Sequence, residues 1–267
     1  MNSLIREYAV NMPQMAMGGL SELWLFKELG DLHWALITDG LGQKSSQLAD
    51  ANGDRLYPTF TRIQFRATVP LSGFAENDLL KAGGTIERFG STYFFTNWSF
   101  VGDSGIISAR LMSTFTKRSS KNSNTGLLKG APVIPVACTI TQLTEQPGFA
   151  VAFRQNRTAN ERNADFSTEY VLNPPTDING VRLLYFAAYP LIADTCEARA
   201  QANPINWHME RSVIARDIFY SANCDLHDRI IYRRHGGNNN QVEATLSRAS
   251  DGEMMAFVAT DYGPVVI

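Results

Sequence analysis

Cysteine is scarce in this 267-residue chain, and neither sign of charge dominates it. Cys138, Cys196 and Cys224 are an odd number with no CxxC spacing, a pattern that supplies neither a disulfide framework nor a thiolate metal site. Long apolar runs are missing as well. The longest mostly apolar stretch, 183–193, falls well short of the ~20 residues that a membrane helix needs. The opening MNSLIREYAV lacks the basic segment, apolar core and small-residue cleavage site of a secretory signal, so the expectation is a reduced, cytoplasmic protein with no membrane partner. Twenty-four Lys and Arg against 26 Asp and Glu give a net charge of −2, which leaves no basic stripe for nucleic-acid phosphates. His33, His208, His227 and His235 form no HxH or HxxxH pair, so no metal site is expected. No GxSxG or dinucleotide fingerprint occurs, and the glycine- and asparagine-rich run 236–240 lacks the Lys-Ser/Thr ending of a phosphate-binding loop.

What the chain does contain is apolar and aromatic: 44% of it is apolar, with 15 Phe, 9 Tyr and 4 Trp, enough for broad β surfaces or an apolar pocket. Residues 18–36 read as a helix apolar nearly all round, wet only along Lys27, Glu28 and Asp31, with Gly30 as a point of bending or ending. A polar loop follows at 40–54. From Leu56 to Val69 the pattern alternates strictly, which predicts a long strand with Tyr57, Ile63, Phe65 and Val69 on one face and Arg62 on the other. Strands over 85–100 and 106–117, joined by the turn-rich 101–105, come next. The small, polar segment 118–130 reads as a crossover, followed by β-like sequence to 153 and a polar loop at 154–168.

The pattern then recurs. A helix near 191–202, a strand over 211–220 and a strand pair (241–247 and 253–260) around the SRASDG turn repeat the first half at an offset of roughly 150 residues. One buried helix wrapped by a curved antiparallel sheet accommodates both kinds of element, and two such units can pair their sheets edge to edge. The expectation is therefore an α+β double hot dog, a fused pseudo-dimer with an N-terminal module at 1–130 and a C-terminal module at 131–267.

Five blocks carry a closer likeness: GGLSELWLFKELGDLHW (18–34), DANGDRLYPTFTRIQF (50–65), NPPTDINGVRLLYFAAYPLIAD (173–194), RDIFYSANCD (216–225) and LSRASDGEM (246–254). Together they resemble the bifunctional acyltransferase/decarboxylases of polyketide biosynthesis known from the leinamycin pathway, over about residues 14–260. The resemblance implies a double hot-dog fold and a reaction that takes a methylmalonyl or related malonyl group from coenzyme A. The group loses CO2, and the resulting acyl group, such as propionyl, passes to an acyl carrier protein. It also implies one catalytic tyrosine, matched by Tyr57 in DRLYPTF. No cofactor is implied, because coenzyme A and phosphopantetheine enter as substrate arms, and a homo-oligomer is compatible with the pattern.

Decarboxylation of a malonyl thioester leaves an enolate, so donors toward the thioester oxygen matter more than acids. Gly18, Gly19, Leu20 and Ser21 are the candidate substrate-binding residues: a Gly-Gly step lets a carbonyl approach the helix N-terminus, with the Ser21 hydroxyl in support. The plain alternative is a tight helix entry with Ser21 as its cap. Tyr57 either accepts the acyl group as an ester or hydrogen-bonds the enolate, with Arg55 as a local cation; a strand tyrosine is otherwise structural. His33 reads most simply as satisfying the carbonyls at its helix end. Glu22 is either a first-turn charge or a general base, and Asp194 its counterpart in the second half. Two other readings stay open: a hot-dog thioesterase acting on acyl-CoA or acyl carrier protein, and a non-catalytic acyl-binding module.

Overall fold

A computed structural model describes residues 3–17, 19–119, 123–155, 163–238 and 240–266 of the chain. In order, the first half holds β1 (Ser3–Ala9), the two-residue strands β2 (Met15–Ala16) and β3 (Gly19–Leu20), α1 (Glu22–Leu41), β4 (Tyr57–Ala67), β5 (Leu79–Phe89), β6 (Tyr93–Gly102) and β7 (Ile106–Arg118). A crossover follows with β8 (Leu127–Gly130), β9 (Thr141–Gln142) and α2 (Gly148–Gln155). The second half comprises β10 (Phe166–Val171), α3 (Pro174–Asp177), α4 (Ala188–Arg199), α5 (Pro204–Glu210), β11 (Arg211–Tyr220), β12 (Arg229–Asn238), β13 (Gln241–Arg248) and β14 (Met254–Pro264).

Ten of these strands form one path, β1-β5-β6-β7-β4-β11-β14-β13-β12-β10, and each neighbouring pair in it is antiparallel. Reflected about the β4–β11 seam, the order is the same on both sides. This is the double hot dog, with α1 under the first half and α4 under the second. The α1 side chains Leu25, Phe26, Leu29, Leu32 and Ile37 are fully buried. Each such side chain is worth roughly 1.5–3 kcal/mol of apolar burial, which is what holds a long amphipathic sheet around a helix.

Several local expectations change. Gly30 neither bends nor ends α1: a Cβ there would come within 2.3 Å of the Phe186 ring, so the glycine admits a side chain from the second half against the helix. The expected strand at 85–100 is a hairpin, turned by Gly90 at φ 62°. Residues 133–153 contribute only β9 and the start of α2 rather than a sheet. From residue 141 to residue 150 the chain lies on the first half, with β9 beside β5 and Phe149 packed on Phe95 and Met112.

The two halves are fastened beneath the sheet by Arg216 of β11, whose side chain is fully buried. Its guanidinium forks onto Glu22 at 2.8 and 2.6 Å and reaches Asp194 at 2.9 Å, while the Tyr262 hydroxyl donates to Asp194 at 2.7 Å. Glu22 opens α1 and Asp194 lies on α4, so one cation holds both helices.

Candidate active site

The seam is short. Residues 215–219 of β11 pair with 66–62 of β4; beyond Phe219 and before Arg62 the strands part, and a cavity of about 400 Å³ lies at the parting. Thr59, Phe60, Thr61, Thr114 and Thr116 line it from β4 and β7. Leu183, Leu184 and Phe186 line it from the approach to α4, and Tyr189 from that helix's first turn. Tyr220, Asn223 and Arg248 close the third side, and Lys129 of β8 also contributes to the wall.

Asparagines shape this wall by tying down loop backbone that would otherwise be unsatisfied. Asn223 accepts from the Leu184 amide at 2.9 Å and donates to the Leu184 carbonyl at 3.2 Å. Asn179 accepts from the amides of Val181 and Leu183, and buried Asn124 donates to the carbonyls of Arg182 and Cys224. Asp177, fully buried, takes the Tyr170 hydroxyl and the Asn173 amide. The block 173–194 thus reads in space as a preorganised loop that carries Phe186 onto Phe60, ring centroids 4.6 Å apart. Burial pushes the Tyr189 and Tyr220 phenols well above their ordinary range, so both stay protonated and donate to the carbonyls of Ala222 and Phe186.

Tyr57 stands beside the cavity, but on the face opposite to the one expected. A β-bulge between Phe60 and Arg62 inserts one extra residue against β7 and reverses the alternation. Phe60 and Pro58 therefore turn toward the core, opposite Ser113 and Phe115, while Tyr57 and Thr59 share the outer face with Arg62 and Gln64. The Tyr57 ring is half-buried, with the guanidiniums of Arg55 and Arg118 at 5.0 and 5.9 Å from its centroid. Arg62 is engaged elsewhere, forked onto Asp217 at 2.9 and 2.6 Å and stacked between Phe149 and Phe219.

The expected partnership between Tyr57 and the α1 entry is not formed. Gly18 lies outside the described residues. Gly19 packs on the turn Leu71–Gly73 that follows the far end of β4, so tightly that a Cβ would sit 2.4 Å from Ser72 Cα. Ten strand steps at about 3.3 Å place that end of β4 roughly 30 Å from Tyr57. Leu20 is core, and Ser21 caps α1 by accepting from the Trp24 amide at 3.2 Å. Glu22 and Asp194 are committed to Arg216 rather than to the cavity wall; burial raises the Glu22 carboxyl while Arg216 pulls against that shift. His33 faces the core instead of capping its helix: its ring nitrogens meet Thr96 and Ser113 at 2.8 and 2.7 Å, and burial pushes it down to about 3, so it is neutral. Among the described residues no cluster of three or more His, Cys, Asp or Glu gathers in ligating geometry, and no helix is long and apolar enough to cross a membrane.

Sequence reasoning missed the cavity's threonine wall and the role of Asn223. The threonines looked like ordinary strand residues, and Asn223 acts across 39 residues of chain. The alternation of Thr59, Thr61, Thr114 and Thr116 beside Tyr57 was the available signal, hidden by the bulge.

No family model matches the chain, and no curated protein matches its sequence. Its fold is similar to that of several solved structures. A protein described as an oleoyl thioesterase of Lactobacillus plantarum superposes with TM-score 0.70 at 10% identity, covering 99% of this chain and 97% of that one. A 12:0-ACP thioesterase from Umbellularia californica gives 0.66 at 10% identity, over 99% and 98%. An acyl-ACP thioesterase from Bacteroides thetaiotaomicron gives 0.63 at 13% identity, over 98% of both chains. At such identities the likeness establishes the architecture, and the chain has the double hot-dog fold throughout its length.

Proposed function

We propose that the protein binds and turns over acyl thioesters of coenzyme A or of an acyl carrier protein, with the acyl group in the cavity at the end of the β4–β11 seam. The observation that carries this reading is the cavity itself: an apolar floor of Phe60, Leu184 and Phe186 beside a wall of hydroxyls, next to the half-buried Tyr57. Lys129 in the wall, and Arg55 and Arg118 around Tyr57, offer cations to the phosphates of the substrate arm.

Two chemistries fit. The thioesterases among the solved structures with the same fold favour hydrolysis, of acyl-CoA or acyl carrier protein. The character of the wall favours decarboxylating transfer: Glu253, exposed on a hairpin, is its one carboxylate among the described residues, and hydroxyls predominate. In that reaction the malonyl carboxylate leaves as CO2 and its electron pair forms the enolate. A proton from water then reaches the α-carbon, the carrier thiol displaces the coenzyme A sulfur at the acyl carbon, and coenzyme A leaves as its thiol with the proton that the carrier gives up. Tyr57 acts there either as a transient ester or as a donor to the enolate oxygen.

Incubation with methylmalonyl-CoA and a carrier protein separates the readings. Release of CO2 with an acylated carrier supports transfer. Hydrolysis of unsubstituted acyl-CoA, unaffected by Tyr57→Phe, supports the thioesterase. Absence of any turnover overturns the enzymatic proposal and leaves an acyl-binding module.

A further inference from the structure

Three strands meet beside the cavity, and their register sets three polar side chains in one row. Tyr57 of β4 lies directly opposite Thr116 of β7, which lies directly opposite Lys129 of β8. Directly opposed residues share a face and sit about 5 Å apart, so phenol, hydroxyl and ammonium follow one another across the sheet. Thr116 is the middle member, about nine-tenths buried and part of the cavity wall.

Its hydroxyl has no hydrogen-bond partner. Four buried side-chain polar atoms share that condition among the described residues, on Arg88, Trp98, Thr116 and Ser247, and only Thr116 belongs to the cavity wall. The neighbouring threonines are engaged: Thr61 donates to the Met112 carbonyl at 3.1 Å, and Thr59 and Thr114 face each other at 3.5 Å. A buried hydroxyl without a partner is costly in a folded protein, and a valine would pack as well at the same place in a strand. A 120° step about Cα–Cβ carries the hydroxyl to the position that the methyl group holds, with no movement of the backbone.

We infer that Thr116 donates a hydrogen bond to the thioester carbonyl of the bound acyl group, fixing that carbonyl between Tyr57 and Lys129. The inference rests on the acyl-thioester reading and adds to it a substrate contact. A fatty chain passing Thr116 leaves the hydroxyl unsatisfied, whereas a carbonyl oxygen completes it.

The test compares two coenzyme A ligands that differ only in that oxygen: butyryl-CoA and its thioether, S-butyl-CoA. Binding to the full chain is measured in the cold by titration calorimetry, with thioester integrity checked afterwards. The wild type should prefer butyryl-CoA by about tenfold, the size of one hydrogen bond to a desolvated hydroxyl. Thr116→Val should abolish that preference while leaving S-butyl-CoA affinity within about twofold, and Thr116→Ser should retain it. Equal binding of both ligands by the wild type overturns the role of Thr116 but leaves the acyl-thioester reading standing. A preference that survives in Thr116→Val, or is lost equally in Thr116→Ser, overturns it too. Failure of both ligands to bind the wild type removes the acyl-thioester reading and this inference together. Should Thr116→Val fold poorly, Thr116→Ala, which also removes the hydroxyl, carries the same expected loss of preference.

Discussion

The two helix entries occupy equivalent places in the pseudo-symmetric fold and have opposite fates. At the entry to α1, the segment that follows β4 folds back as the turn Leu71–Gly73, buries Leu71 and presses Ser72 onto Gly19. At the entry to α4, the segment that follows β11 stays open: Ser221, Ala222 and Asn223 line the cavity, and Asn223 holds Leu184. The closed entry is further latched, since Ser72 accepts from the Val266 amide and its own amide donates to Ser212. Duplication of a helix and a curved sheet therefore yields two candidate pockets. Which one survives depends on a few residues after the seam strand of each half.

The largest effect expected from probing this asymmetry is at the open entry. Under the transfer reading, Tyr57→Phe should lower turnover by about 10³-fold or more, roughly 4 kcal/mol of barrier, with an unchanged denaturation midpoint. An active Tyr57→Phe enzyme would move the chemistry away from the rim. Next comes the cation shared by both helices. Arg216→Met leaves Glu22 and Asp194 buried without their partner and should cost roughly 3–5 kcal/mol in urea unfolding. A loss below about 1 kcal/mol would mean that the two halves hold together without it. At the closed entry, Gly19→Ala forces a Cβ onto Ser72 at a φ of 151°; a loss of roughly 2–3 kcal/mol is expected, with kcat per folded molecule preserved. A specific fall in kcat instead would show that the α1 entry takes part in the reaction. Ser21→Ala should be mildest, about 1 kcal/mol for a lost helix cap and no change in KM.

Much of the frame is legible in the residues. The all-round apolar pattern after Ser21 marks a helix buried on most sides, strict alternation after Leu56 marks a long strand, and their recurrence marks the duplication. The site is less so, for identifiable reasons. Tyr57 can be singled out through the DRLYPTF block, yet its face was inverted, because a bulge is invisible to a period-two count. Strands β1 and β10 escaped notice because edge strands carry polar residues on both sides, and β12 because its second half, RRHGGN, is charged and rich in glycine. Gly18 to Ser21 look inviting as an anion site because a Gly-Gly step before a helix is open in sequence. In space, Gly19 makes room for Ser72, 53 residues later.

Composition and periodicity alone determined a helix-wrapped, duplicated α+β chain with a balanced surface charge, because burial imposes a period of 3.6 on helices and two on strands wherever it occurs. Tertiary structure decided which entry opens, which way Tyr57 turns, and that Tyr57, Thr116 and Lys129 align across three strands. Those outcomes depend on register and on contacts between distant segments, and a difference of one residue in a bulge is enough to reverse them.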